Sequence, residues 1–234
     1  MEDQVRNGRG WVRLGSVASV LVVLAVVAAQ VAFTSSTSPR EEVVAFLDEA
    51  SADRQRFLVS VVLFTALAFL VVPVFVALRE ALSRHSRSPL RLALGFAILG
   101  AAFSAGADAT QVAIGASTLE SWPDADSALR EVLAADATTL LWLGDTLTSL
   151  ARLAFGLAVG AASLVMLGAR TRLWRITGYT GLVATIGSLL GSFELAAVGL
   201  ELAWVAGLAA LLIWFLLTAA GLWRGDPVPT GPDH

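Results

Sequence analysis

Six long apolar stretches constrain this chain more than any other feature. They run 14–33, 57–78, 90–115, 138–167, 174–193 and 202–222. A helix needs about 20 mainly apolar residues to cross the hydrocarbon core of a bilayer. Barrel strands would alternate polar and apolar residues, and these stretches do not. Of the 234 residues, 56% are hydrophobic and 15% are charged, whereas a soluble domain carries about a quarter charged. The expected fold is all-α: one polytopic membrane domain over residues 1–234, built as a bundle of six transmembrane helices. Arg6, Arg9 and Arg13 precede the first stretch in the manner of a secretory signal. Its apolar part exceeds the roughly 7–15 residues of a signal core, so it is read as a retained first span.

Arginine placement gives an expected orientation. All 16 basic residues are arginine, which suggests a GC-rich prokaryotic source. With six spans, Arg6, Arg9, Arg13, Arg79, Arg84, Arg87, Arg91, Arg170, Arg172, Arg175 and Arg224 share one side. Arg40, Arg54, Arg56 and Arg130 fall on the other. The positive-inside rule then puts both termini in the cytoplasm of a plasma-membrane protein. Tryptophans favour the two interfaces, so Trp11, Trp174 and Trp223 are expected at the inner one, and Trp122, Trp142 and Trp204 near the outer one. Trp214 falls in mid-span.

Both longer outer connections are acidic. In the first, Ser38-Pro39-Arg40-Glu41 reads as a capping box. Val43, Val44, Phe46 and Leu47 then give a short amphipathic helix, expected to lie on the membrane or cap the bundle. The second carries Glu120, Asp124, Asp126, Glu131 and Asp136, and is expected to run as helix from Trp122-Pro123 into the fourth span. Such acids read first as a solvated face and second as a vestibule that collects cations. The inner connections are short and basic, as arginines that set topology and meet anionic lipid should be. Membrane lipid is thus the expected partner. Nothing points to nucleic acid, and protein partners are not indicated.

A charge in hydrocarbon costs several kcal/mol unless it is paired or hydrated, so charges inside the stretches are the candidates for function. Asp108 lies 17 residues past Arg91, about 25 Å from the cytoplasmic face. Arg152 lies 10 residues past Trp142, about 15 Å inward from the outer interface. Side chains tilt toward the helix N-terminus, so Arg152 leans outward, Asp108 leans toward the midplane, and the two are expected to approach. Asp145 and Ser149 share the face of Arg152, and that stripe continues through Gly156 and Gly160, a close-packing signature. Gly100, Ser104, Asp108 and Gln111 form a similar stripe in the third span, and Gly187, Gly191 and Glu194 one in the fifth. The expected polar pocket therefore comprises Asp108, Gln111, Asp145, Ser149, Arg152 and Glu194, with Gly156, Gly160, Gly187 and Gly191 serving helix packing.

Two readings follow. In one, the pocket binds or transports a small polar or anionic ligand or a lipid head group, which Arg152 receives while Asp108 holds the arginine ready. In the other, the protein is a structural or regulatory membrane subunit and the pair only fixes packing. An enzyme is not expected. The chain has no cysteine, and its two histidines, His85 and His234, fall away from the cluster. A thiol or His-assisted nucleophile and a His-rich metal site are thereby excluded, and no cofactor is expected. The glycines form no phosphate loop.

Two further stretches carry a resemblance. Leu150-Ala-Arg-Leu-Ala-Phe-Gly-Leu leads into Leu167-Gly-Ala-Arg-Thr-Arg-Leu-Trp-Arg-Ile-Thr-Gly-Tyr-Thr-Gly-Leu182, and the chain closes on Ile213-Trp-Phe-Leu-Leu-Thr-Ala-Ala-Gly221. These resemble a large bacterial family of roughly six-span integral membrane proteins catalogued only as a domain of unknown function. The chain departs from that pattern in lacking a proline in the arginine turn and an acidic residue just before Trp214. The resemblance implies a fold class and no activity.

Overall fold

The computed structural model describes residues 2–33, 42–82, 87–192 and 201–224. Helix is the only regular structure among them. The helices are α1 (Glu2–Ala32), α2 (Val43–Ala52), α3 (Arg54–Leu82), α4 (Arg87–Ala113), α5 (Leu119–Ser121), α6 (Ser127–Leu167), α7 (Arg172–Ser192) and α8 (Glu201–Arg224), with a π-helical turn, Ile114–Thr118, joining α4 to α5. Large apolar side chains such as Val31, Val62, Phe69 and Leu164 point outward. In water they would be a liability; against lipid tails they are the required surface.

Among the described residues, five helical segments are long and apolar enough to cross a membrane: Gly10–Ala32, Arg54–Leu82, Ser88–Ser121, Ser127–Leu167 and Val205–Arg224. The chain is thus a multi-pass membrane protein. The expected span 174–193 is helical as α7 but is not among the five. Its composition explains this: Thr177, Gly178, Gly181, Gly187, Ser188 and Gly191 occupy its buried face, so close packing replaces apolar bulk.

The chain divides into two compact units. The first comprises residues 1–23, 68–102 and 149–234. Its helices meet where side chains are small. A Cβ at Gly15 would collide with Ala77 and lie 3.3 Å from the Pro73 carbonyl, so α1 crosses α3 at its proline. Nearby, the Ser16 hydroxyl donates to the Ala219 carbonyl at 2.9 Å. Gly156 and Gly160 of α6 face Ser188 and Thr185 of α7, with added Cβ atoms only 3.0 and 3.1 Å from those side chains. Thr185 Oγ1 lies 3.1 Å from the Gly156 carbonyl and 2.8 Å from that of Gly181. Close backbone approach of this kind is how helices associate where no hydrophobic effect drives them together.

The second unit comprises residues 24–67 and 103–148. Its core gathers Phe46, Leu47 and Ala50 of α2 with Phe57, Val61, Ile114, Leu119, Trp122, Ala137 and Leu141. The ring of Phe57 meets Phe33 and Phe46 edge-on at 5.4 and 6.2 Å. An isolated ten-residue helix is marginal in water, so this burial holds α2 in place. The helix begins at Val43, because Glu42 is non-helical with φ −135° and its side chain caps nothing. The capping box at Ser38–Glu41 lies outside the described residues.

The helix expected to run from Trp122-Pro123 into the fourth span does run unbroken into it, as α6, but starts four residues later: a turn follows α5, and α6 begins at Ser127, where Asp126 Oδ1 accepts the Leu129 N–H at 2.8 Å. That side-chain N-cap fixes the start of the helix. The tryptophans also divide differently from the interface reading. Trp11, Trp142 and Trp223 are exposed, but Trp122 and Trp174 are buried. Each is enclosed by a neighbouring helix, Trp122 in the α2 cluster and Trp174 against Gly221 of α8.

Candidate functional site

Asp108 sits in α4, half-buried. The side chain of Thr65, on α3, is within hydrogen-bonding reach of its carboxylate. The same hydroxyl lies 2.9 Å from the Val61 carbonyl. A threonine has one hydroxyl proton, so Asp108 and Val61 compete for it. The second carboxylate oxygen, Oδ2, is buried and has no hydrogen-bond partner among the described residues. Asp108 is therefore an acceptor-rich group short of donors.

Three polar neighbours belong to the same unit. Gln111 is half-buried one turn further along α4, and Asp145 is half-buried on α6. Between them Gly144 of α6 presses on α4: a Cβ there would lie 2.5 Å from Thr110 Oγ1 and 3.8 Å from Gln111 Nε2. Thr110 is buried and returns its proton to the Ala107 carbonyl at 2.7 Å. A lone threonine in the apolar run Val61–Phe69 was the sequence signal for Thr65. It went unread because threonine in a membrane helix ordinarily bonds its own backbone, as Thr65 also does.

Arg152 and Ser149 lie in the first unit, both half-buried on α6. Arg152 Nη1 donates to the Gly191 carbonyl at 3.3 Å. Gly191 belongs to α7. The guanidinium thus ties α6 to the backbone of the neighbouring helix. Gly187 is packed against α8, where a Cβ at Gly207 would stand 2.6 Å from the Gly187 Cα. Glu194 lies outside the described residues.

The acids of the two acidic connections are partly engaged by arginines. Arg54 meets Glu120 at 2.9 Å, Arg56 meets Asp53 at 3.0 Å, and Arg130 lies 4.0 Å from Asp48. Asp48 Oδ1 also accepts the Trp122 indole N–H at 2.7 Å, and the Arg130 guanidinium lies over the Trp122 ring at 5.2 Å. Asp48 and Glu120 stay largely exposed despite these contacts, as do Asp124, Asp126, Glu131 and Asp136, in keeping with a solvated face.

The family model described as "Domain of unknown function (DUF4386)" matches residues 17–223. The chain belongs to this family. The match takes in every helix from α2 to α7 and most of α1 and α8, so the resemblance carried by 150–182 and 213–221 extends over nearly the whole chain. No curated protein and no solved structure matches.

Proposed function

We propose that this family member binds, or moves across the membrane, a small polar ligand or lipid head group at Asp108. In this reading α7 also spans, as the fifth of six, the bundle lies in the plasma membrane, both termini are cytoplasmic, and Asp108 falls in the outer half. The observation that carries the reading is the buried, unpartnered Oδ2 of Asp108. A carboxylate only accepts hydrogen bonds, and a charge at membrane depth needs a partner or water. The ligand must therefore present a donor, an ammonium or a hydroxyl group. Gln111 and Asp145, in the same unit, extend the polar surface. The role is binding, not catalysis.

Arg152 favours a second reading for its own side chain. A guanidinium donating to the Gly191 carbonyl of α7 suits a structural tie between α6 and α7 and gives less support to an anion receptor. The two readings separate in one experiment. Asp108→Asn preserves the shape and removes the charge. Native mass spectrometry of the purified wild type should show an adduct of defined mass that the variant lacks while keeping its Tm within a few degrees. An adduct held equally by both proteins, or by neither, would leave only the structural role.

A further inference from the structure

The two stretches that carry the family resemblance meet in the first unit. Trp174 of α7 lies on Gly221 of α8, where an added Cβ would be 2.9 Å from the indole ring. Trp214 of α8 lies on Gly181 of α7, where an added Cβ would be 2.6 Å from Cδ1 and Nε1. In both helices the glycine follows the tryptophan by seven residues, which is two turns, so each helix shows both on one face. Residue 174 meets 221, 181 meets 214 and Gly187 meets Gly207. The order is antiparallel, and each tryptophan is seated on the other helix's glycine.

This reciprocal clasp leaves buried hydrogen-bonding groups without partners. Ser163 of α6 presses its Oγ on Gly181, beside Trp214. Thr218 lies one turn beyond Trp214 on the clasp face of α8. Trp174 is 2% exposed, and Ser163, Trp214 and Thr218 are 0%. Trp174 Nε1, Trp214 Nε1, Ser163 Oγ and Thr218 Oγ1 have no hydrogen-bond partner among the described residues. Thr177, also fully buried, satisfies itself on the Leu173 carbonyl at 2.9 Å. Phe75 stacks on Trp214 at 5.9 Å and offers it no acceptor.

Buried polar groups are nearly always bonded, and four orphans in one helix interface require an explanation. All four are neutral. The two indoles can only donate, and the hydroxyls can donate or accept. With up to four donors and no charge, the set complements an acceptor. We infer that the clasp encloses, at Gly181, a site for a small hydrogen-bond acceptor, held by Trp214 Nε1 and Ser163 Oγ, with Thr218 Oγ1 one turn along α8. A water molecule and a halide ion share this chemistry. Buried water with about three protein hydrogen bonds is an ordinary component of interiors.

Indole-15N-labelled protein in chloride buffer tests the site. The N–H resonance of Trp214, assigned through W214F, should sit downfield in the hydrogen-bonded range. Cross-relaxation with water identifies water as the occupant, and a shift when bromide replaces chloride identifies an anion. Either supports the site, whereas a resonance that responds to neither overturns it. S163A and T218V keep the test open if a tryptophan variant fails to fold. With an occupant present, each should lower Tm by about 2–4 °C, the shift expected for one lost hydrogen bond in a chain of this size. Removing a dry, unbonded hydroxyl is neutral or stabilising, so an unchanged or raised Tm in both variants overturns the site as well.

Discussion

Arg54 Nε donates to the carbonyl of Gly115 at 2.8 Å, and Nη2 of the same guanidinium meets Glu120 at 2.9 Å. Arg54 opens α3, and Gly115 lies in the π-helical turn that joins α4 to α5. A π turn departs from the α-helical hydrogen-bond ladder and persists where something outside the helix compensates. The guanidinium does so with two fixed donors. Leu58, one turn after Arg54, completes the contact: a Cβ on Gly115 would lie 2.6 Å from Leu58 Cδ2, so the turn needs glycine to come this close to α3.

Arg54→Ala should therefore loosen the π turn more than it lowers global stability. Amide hydrogen exchange across 114–121 should rise by an order of magnitude while α8 is unaffected. Arg54→Lys carries the charge without the planar fork and should restore only part of the protection. Wild-type exchange in the alanine variant would show that the turn is held by Gly115 packing alone.

The apolar runs were legible because span length is fixed by the bilayer and because apolar bulk needs no tertiary context. The breaks were less so. Ile114-Gly-Ala-Ser-Thr118 carries no signal for a π turn, which depends on Arg54 arriving from 60 residues away in sequence. Trp122 beside Pro123 has the local character of an interfacial anchor, and only the packing of α2 against it turns it into core. The need of Arg152 for a partner was readable from the cost of a membrane charge. Its carbonyl partner was not, since a backbone acceptor has no side-chain signature. In α7, glycine and threonine gave the packing face, and for the same reason diluted the span signal.

Trp122 offers a graded test of the outer core. Trp122→Phe keeps a ring in the cluster and removes the 2.7 Å hydrogen bond to Asp48. Asp48 is half-exposed and regains water, so the loss should be about 1 kcal/mol. Trp122→Ala empties a site that is 1% exposed and should cost about 3–5 kcal/mol. Chemical denaturation in detergent reads both. Equal losses for the two variants would mean that the indole N–H, not the ring volume, is what the cluster depends on.

The proposed orientation is open to labelling, since the chain has no cysteine of its own. Single cysteines at Ser51, Ser86 and Gly168 should separate on intact cells treated with a membrane-impermeant thiol reagent. Ser51→Cys should label, and Ser86→Cys and Gly168→Cys should not, following the arginine asymmetry. The reverse pattern would invert the protein in the membrane. Labelling at Ser51 and Gly168 together would mean an even number of crossings between them, so that one of the three long helices between them, α3, α4 or α6, does not span.

Arg152 is the residue whose role changes most when its neighbours are known. Its Nη1 donates to the carbonyl of Gly191 from a different helix, so its loss should be felt in α7 around Gly191 and not along α6. Arg152→Met keeps most of the apolar stem and removes every donor. Hydrogen bonds to charged groups contribute about 1.5–3 kcal/mol; at 3.3 Å and half-buried, the low end applies. The expected result is a modest fall in Tm together with faster amide exchange over 186–192. Arg152→Gln, which retains an amide donor, should recover part of both. If exchange around Gly191 stays at the wild-type rate in the methionine variant, the contact does not order that helix, and the charge must be kept for another purpose, which would return Arg152 to the ligand-binding reading.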